Sequence, residues 1–281
     1  MKKTGLFLFL IFSSFLFSSC TSTYFGRWAF WGPASITDYK EFPSRDVNTS
    51  SSSFQFKTDT LAAHKFSNFL TAYRDTIITQ NGENKIENLL TSTGSTAFLV
   101  ARGDTLLYEN YFNGYERNSI NGSFSVAKSF TSALIGIAID EGLIRSVDDP
   151  ITTYLPELKD SACASITIRH LLRMSSGIQY TDCGWPWCDE PKTYFDPHLR
   201  NLALNVEVKN KPNQAFHYNN YHPLLLGMIL ERVTHQSVCS YLQKNSGNRL
   251  VWSFPVLGLL IAMKMDLKKW KATSMHGRLI S

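Results

Sequence analysis

The chain has 281 residues, of which 43% are hydrophobic, 13% aromatic and 18% charged, a balance that excludes a disordered or fibrous protein. The formal net charge is +5, but the surplus lies at the two ends of the chain. Residues 1–19 contain Lys2 and Lys3 with no acid, and residues 247–281 contain six basic side chains against one acidic. The 20 basic and 22 acidic side chains of residues 20–246 leave a net charge of −2, which argues against nucleic acid as a partner.

The first residues have the pattern of a secretory signal. Lys2 and Lys3 precede a largely apolar run from Leu6 to Phe17, which is shorter than the roughly 20 apolar residues of a membrane-spanning helix. Ser18 and Ser19 then precede Cys20, as small residues do in the lipobox of bacterial lipoproteins. We therefore predict a signal over residues 1–19 and a lipidated Cys20, with an ordinary signal peptide as the alternative. The expected location is the cell envelope, either anchored to a membrane by lipid or in the periplasm.

The remaining cysteines bear on redox state and metal binding. Cys183 and Cys188 flank a turn-rich loop and could form a local disulfide bond in an oxidising compartment, or remain two buried thiols. Neither His-x-x-x-His nor Cys-x-x-Cys spacing occurs in the sequence. We predict no metal site and no cofactor.

Hydrophobic periodicity and turn residues predict the following elements. Residues 20–57 are rich in Ser and Thr and are predicted to be a linker, with order beginning near Asp59. The predicted elements are an amphipathic helix over 59–80, a hairpin of strands 97–101 and 105–112, a buried helix over 130–139 that ends at Gly142, and a helix over 224–233.

Ser125-Val126-Ala127-Lys128 is the candidate for nucleophilic chemistry. It opens the predicted buried helix, where a spacing of three places the hydroxyl and the amine on one face. The N-terminus of the helix favours a developing negative charge on the serine oxygen, and a lysine that loses its proton can act as a base toward serine. The alternative is a serine N-cap followed by a solvent-facing lysine.

Ordered motifs across residues 97–240 resemble the serine beta-lactamase-related family, which includes class C beta-lactamases, DD-peptidases and esterases. The sequence around Ser125 and Met174 is most similar to that of enzymes of the 6-aminohexanoate-dimer hydrolase type, which cleave linear amides and esters. The segments that carry the resemblance are 125–130, 142–144, 147–150, 154–158, 168–177, 216–220 and 225–227. The segment 168–177 resembles the part of the family fold that packs below the active site.

The resemblance implies a role for each matched residue. Ser125 is the acylated nucleophile, Lys128 accepts its proton, and Tyr218, with a lowered pKa, delivers protons to the leaving group and from water. Asn220 binds the acyl side chain of the substrate, whereas Asn219 points away from the cleft. The histidines at 170, 217 and 222 are predicted to be packing or surface residues, because the family uses Tyr and Lys and no Gly-x-Ser-x-Gly elbow is present.

The family carries a third motif, Lys-Thr-Gly or His-x-Gly, on a later strand that supplies one donor of the oxyanion hole. No such motif follows Asn220 in this sequence.

The end of the sequence can also be read in a shifted frame, in which the third base of each codon joins the first two bases of the next. Because Met and Trp each have a single codon, Met263 and Trp270, each followed by Lys, must give Glu in that frame, and Met265, followed by Asp, must give Gly. All three residues agree with the family's continuation. We therefore predict that residues from about 246 are out-of-frame translation after an insertion or deletion. The alternative is a basic amphipathic C-terminal helix suited to an anionic membrane surface.

The predicted fold class is α/β (α+β), of the beta-lactamase/transpeptidase type, with an antiparallel sheet, a helical region and missing C-terminal strands. The predicted organisation is a signal over 1–19, a linker over 20–57, a partial hydrolase domain over 58–246 and an aberrant tail over 247–281. The predicted function is hydrolysis of a small-molecule amide or ester through an acyl-enzyme at Ser125, with poor folding and little activity expected. The alternative is a non-catalytic surface lipoprotein or a degraded remnant, and the sequence does not determine the substrate.

Overall fold

The computed structural model describes residues 22–42, 44–47, 55–72, 85–246 and 256–257. The predicted signal, Cys20 and all of the predicted aberrant tail except residues 256–257 lie outside the described residues. The described helices are α1 Tyr24–Phe30, α2 Thr60–Ala72, α3 Lys85–Ser92, α4 Ala127–Asp140, α5 Ile168–Leu172, α6 Asp189–Phe195, α7 Leu199–Leu204, α8 Tyr221–Thr234 and α9 Val238–Ser246. In these parts of the chain no helix is long and apolar enough to cross a bilayer.

The strands are short and form two small sheets. They are β1 Asp46–Val47, β2 Lys57–Thr58, β3 Ala97–Arg102, β4 Thr105–Tyr111 and β5 Val256–Leu257. The larger sheet has the order β2-β4-β3, in which β3 and β4 are antiparallel and β2 joins β4 in parallel. In the smaller sheet β1 pairs with β5 antiparallel.

The chain divides into two compact units, and the larger one holds the helical core. It includes residues 121–245, in which α4 packs against α8 and α8 also contacts α5 and α7. Leu134 and Ile135 of α4 and Leu224, Leu225 and Ile229 of α8 are almost completely buried. Burial stabilises each of these side chains by about 1.5–3 kcal/mol relative to exposure, so this helix pair anchors the segment that begins at Ser125.

The smaller unit includes residues 48–120 and contains the larger sheet. Helix α2 packs on β4, with the Phe66 and Tyr108 rings 6.3 Å apart. The carboxylate of Glu87 in α3 accepts hydrogen bonds from Tyr108 and Asn110 of β4. The hairpin turns at Gly103, whose φ of +61° is easily adopted by glycine.

Most predicted elements are present with small shifts in their bounds. The two strands of the hairpin, the helix that ends before Gly142 and the helix over 224–233 correspond to β3, β4, α4 and α8. Helix α2 corresponds to the first part of the predicted helix over 59–80, and residues 73–80 lie outside the described residues. The sheet differs from the prediction in one respect, because β2 runs parallel to β4.

The predicted linker is wrong for residues 22–42, here called the N-terminal segment. This segment contains α1, which begins after an N-cap in which Thr23 Oγ1 accepts a hydrogen bond from the Gly26 amide, and a 3-10 turn at Asp38–Lys40. Tyr24, Trp28 and Trp31 occur at i, i+4 and i+7, which places them on one face of a helix. The helix has only 7 residues, so its periodicity is easily overlooked among the surrounding polar residues.

Candidate active site

Ser125 and Lys128 lie at the start of the buried helix α4. Ser125 is exposed in the 3-10 turn Phe124–Val126, which runs directly into α4. The Lys128 ammonium Nζ donates a hydrogen bond of 3.0 Å to Ser125 Oγ. The spacing of three thus brings the two side chains together.

Tyr218 completes a cluster with these two residues. The Lys128 Nζ lies 4.9 Å from the centroid of the Tyr218 ring, and the tyrosine side chain is 42% exposed. Partial burial raises the pKa of Tyr218, but hydrogen bonding with Lys128 and Ser125 and the charge of Lys128 outweigh burial, so the pKa is lowered from its usual value. The phenol is thus suited to release and accept a proton beside the serine oxygen.

The segment Met174–Tyr180, here called the support segment, holds the loop that carries Tyr218. The Met174 carbonyl accepts a hydrogen bond of 2.7 Å from the His217 amide, directly before Tyr218. Asn219 is completely buried, and its side chain donates to the Ile178 carbonyl at 3.2 Å. The prediction that Asn219 points away from the cleft agrees with this contact, and the predicted position of segment 168–177 below the site agrees with the support segment.

Gly177 permits a close backbone contact within this support. Its φ is +78°, and a Cβ added there would lie 2.0 Å from the Asn210 carbonyl oxygen. The Gly177 carbonyl accepts hydrogen bonds from the Lys209 and Asn210 amides. Any other residue at this position would have to push residue 210 away.

Asn220 lies at the edge of the cluster, at the N-cap of α8. Its side-chain amide donates to the Tyr180 hydroxyl at 2.7 Å and to Thr193 Oγ1 at 3.4 Å. Asn220, Ser125 and Lys128 line the same cleft. The structure thus brings all four predicted site residues into one region, and the substrate contact of Asn220 stays a prediction.

The three histidines have structural contacts. His222 is 1% exposed, and its Nε2 lies 2.6 Å from Ser176 Oγ. His170 forms the capping box of α5 with Thr167, and its Nε2 lies 2.9 Å from the Asn213 side-chain amide. The His217 ring packs edge-on near Tyr180. These contacts agree with the prediction that the histidines are packing or surface residues.

A cleft of about 520 Å³ opens beside Ser125. Its lining is mostly apolar, with the carboxylate of Glu190 at one position. Burial and the neighbouring Asp182 carboxylate raise the pKa of Glu190. Five separate parts of the chain contribute to the lining: the N-terminal segment, the turn that leads into α4, the disulfide loop, α6 and Asn220.

Cys183 and Cys188 are joined by a disulfide bond, with their Cα atoms 5.7 Å apart. The bond closes a short loop that contains Gly184, one of the residues lining the cleft. The question that the sequence left open is answered in favour of the bridge. In the described part of the chain no group of three or more His, Cys, Asp or Glu side chains could hold a metal ion.

Sequence reasoning missed the contributions of the N-terminal segment and of Tyr180 to the site. Trp28, Pro33 and Ala34 line the cleft, and the Tyr180 hydroxyl accepts a hydrogen bond from Asn220. The spacing of Tyr24, Trp28 and Trp31 was the one signal that could have indicated a packed helix. Tyr180 gave no such signal, because its position beside Asn220 depends on the tertiary fold.

The fold and the Ser-Lys-Tyr cluster together indicate to which class of proteins the chain belongs. Residues 83–250 match the beta-lactamase family, and the chain belongs to this family. The beta-lactamase/transpeptidase-like fold that the motifs predicted is thereby confirmed.

Individual relatives are similar over part of their length. The chain is 35% identical to 6-aminohexanoate-dimer hydrolase of Paenarthrobacter ureafaciens over 164 residues, which cover 53% of this chain and 41% of that protein. It is 27% identical to Protein flp of Staphylococcus aureus (strain NCTC 8325 / PS 47) over 165 residues, which cover 53% of this chain and 32% of that protein. The chain therefore spans less than half the length of either relative.

A solved structure shares the fold. A Bacillus anthracis protein described as a 6-aminohexanoate-dimer hydrolase superposes with a TM-score of 0.62 at 21% identity. The superposition covers 82% of this chain and 63% of that chain. The chain is thus a member of the beta-lactamase family that is related to 6-aminohexanoate-dimer hydrolase.

Proposed function

We propose that this protein is a serine hydrolase that forms an acyl-enzyme at Ser125. The observation that carries the proposal is the 3.0 Å hydrogen bond from Lys128 to Ser125, with Tyr218 beside both side chains. A hydroxyl within hydrogen-bond reach of a base is the arrangement that nucleophilic catalysis requires.

The acylation step moves one proton and exchanges one bond. The Ser125 hydroxyl proton passes to the base formed by Lys128 and Tyr218, and the serine oxygen bonds to the carbonyl carbon of the substrate. The carbon–nitrogen or carbon–oxygen bond of the substrate then breaks, and the leaving group takes a proton from Tyr218. Water then attacks the acyl-enzyme and gives its proton to the base formed by Lys128 and Tyr218. The serine oxygen takes a proton back from that base as the acid is released. The lowered pKa of Tyr218 supports both transfers.

We propose small amides or esters as the substrate class. The name of the Paenarthrobacter relative refers to cleavage of a 6-aminohexanoate dimer, and a cleft of about 520 Å³ is suited to a small molecule. Asn220, which lines this cleft, is proposed to bind the acyl part of the substrate. Export of the chain and lipid anchoring through Cys20 stay predictions.

We further propose that turnover by the 281 residues as given is impaired. The family resemblance assigns one oxyanion-hole donor to a strand with a Lys-Thr-Gly or His-x-Gly motif, which does not follow Asn220 in this sequence. Removing one such donor slows catalysis by about 10²–10³. Retention of the fold for binding without catalysis is the second candidate function.

Labelling with a fluorophosphonate probe tests the assignment of Ser125. The probe phosphonylates an activated serine and releases fluoride, so it detects the nucleophile even when turnover is slow. We expect labelling of the purified chain at Ser125, with ester turnover well below the labelling rate, and a loss of labelling in Ser125→Ala. Ser123→Ala, a change of the same type two residues earlier, should retain labelling. Labelling that persists in Ser125→Ala would overturn the proposed nucleophile.

A further inference from the structure

The N-terminal segment reaches the candidate active site through a set of specific contacts. The Tyr24 hydroxyl donates to the Pro186 carbonyl at 2.6 Å, and the Trp28 indole N–H donates to the Gly184 carbonyl at 3.2 Å. Both acceptors lie inside the loop closed by the Cys183–Cys188 disulfide bond. Helix α1 is thereby attached to a loop that is itself covalently constrained.

The rest of the segment is held by further contacts. The Tyr194 hydroxyl donates to the Asp38 carboxylate at 2.6 Å, and the Phe42 ring packs against Trp31 and Tyr194. The Ile36 carbonyl accepts a hydrogen bond of 2.7 Å from the Gly122 amide, three residues before Ser125. The segment is therefore fixed at both α6 and the approach to the serine.

These contacts place part of the segment in the cleft. Trp28, Pro33 and Ala34 line it together with Ser125, and Phe124 and Phe195 add to its apolar surface. Trp28 is only half-buried, so part of its indole remains available to a ligand. The family match covers residues 83–250 and does not include this segment.

We propose that Trp28 is a specificity-determining residue, which contacts an apolar acyl group of the substrate while Ser125 is acylated. The proposal rests on the proposed function of Ser125. Its physical basis is the area of indole that an alkyl chain in the cleft would remove from water. A short acyl group attached to Ser125 would gain little from this contact.

Two alkyl fluorophosphonates, one with a methyl and one with an octyl chain on phosphorus, provide the test. In each reaction the Ser125 oxygen bonds to phosphorus, the phosphorus–fluorine bond breaks, and the serine proton leaves through Lys128 and Tyr218. The quantity measured is the ratio of the octyl to the methyl labelling rate constant. We expect Trp28→Ala to lower this ratio about tenfold and Trp28→Phe, which retains an aromatic ring, to lower it less.

Two further variants keep the test decisive. Phe25→Ala is the matched control, because Phe25 lies on the same helix, is 66% exposed and does not line the cleft. Ala34→Phe adds a ring to an exposed position of the lining and should also lower the octyl rate while the methyl rate is retained. If Ser125 is labelled and Trp28→Ala leaves the ratio unchanged, the specificity role of Trp28 is wrong, whatever the result for Ala34→Phe. If the parent chain is not labelled at Ser125 at all, the proposed function fails and the inference fails with it.

Discussion

Phe124 has a backbone φ of +42°, in a region that residues other than glycine rarely adopt. Such a conformation costs on the order of 1–3 kcal/mol and is often found next to functional groups. Here it immediately precedes Ser125, while the buried Ala127 fixes the chain on the other side. The strained residue thus lies in the turn that carries the serine into α4.

The buried His222 of α8, which contacts Ser176 of the support segment, should make stability depend on pH. Burial, and to a lesser extent the nearby His217, lowers the pKa of His222 to about 3. The Ile178 amide donates to Ser176 Oγ, and the Ser176 hydroxyl can in turn donate to the Nε2 of a neutral His222 ring. Between pH 6.5 and about 3 the unfolded chain therefore binds a proton that the folded chain does not.

We expect the free energy of unfolding to fall by about 2 kcal/mol between pH 7 and pH 5 through His222. The sign follows because protons favour the unfolded state in this range. Urea unfolding at the two pH values measures the difference, which His222→Gln should remove. The exposed His198→Gln is the control and should retain it. An equal loss in His222→Gln and the parent would contradict the assignment.

At the scale of elements, the support segment and the disulfide loop determine the shape of the site. Residues 174–180 hold the Tyr218 loop by backbone hydrogen bonds, and the loop from Cys183 to Cys188 presents Gly184 to the cleft. Neither piece is a long helix or strand. The site therefore depends on local constraints more than on the regular elements around it.

Removing the disulfide bond should destabilise the protein. A bond that closes so short a loop stabilises by about 2 kcal/mol, mainly by restricting the unfolded chain. We expect Cys183→Ala combined with Cys188→Ala to lower the free energy of unfolding by this amount, measured by urea unfolding. Dithiothreitol should have the same effect on the parent chain and none on the double variant. Equal stability of the parent chain with and without reductant would show that the bond does not contribute.

The sequence could predict those elements that its motifs or periodicity mark. The Ser-x-x-Lys spacing located the start of α4, because residues three apart share a face of a helix. The resemblance of residues 216–220 to the family likewise located Tyr218 and Asn220. Helix α1 was missed because it gains its stability from contacts with residues such as Gly184 and Pro186, far along the chain. Contacts of this kind leave little trace in a local pattern.

At the scale of the whole molecule, the smaller unit exposes apolar side chains. Leu61, Leu89 and Leu99 are 63%, 53% and 46% exposed. Leu99 lies on β3, which in the described sheet is an edge strand. Exposed apolar residues on an edge strand favour association between copies of a chain.

We expect the purified chain to self-associate with increasing concentration, and Leu99→Lys to reduce this association. The new lysine would lie opposite Glu109 of β4, a favourable pair of charges across strands. Light scattering measures the association, and the free energy of unfolding should change by less than about 0.5 kcal/mol. Leu143→Lys, at an exposed position of the larger unit, is the control. Undiminished scattering of Leu99→Lys would exclude β3 as the associating edge.

The placement of the N-terminal segment has a consequence for how such a protein can be altered. The groups proposed to perform the chemistry belong to the turn that leads into α4, to the first residues of α4 and to the loop before α8, whereas Trp28, Pro33 and Ala34 come from a separate stretch at the beginning of the chain. The proposed specificity contact of Trp28 and the proposed chemistry are thus encoded by different parts of the gene. Exchanging residues 22–42 between homologues would be a route to new selectivity that leaves Ser125, Lys128 and Tyr218 untouched.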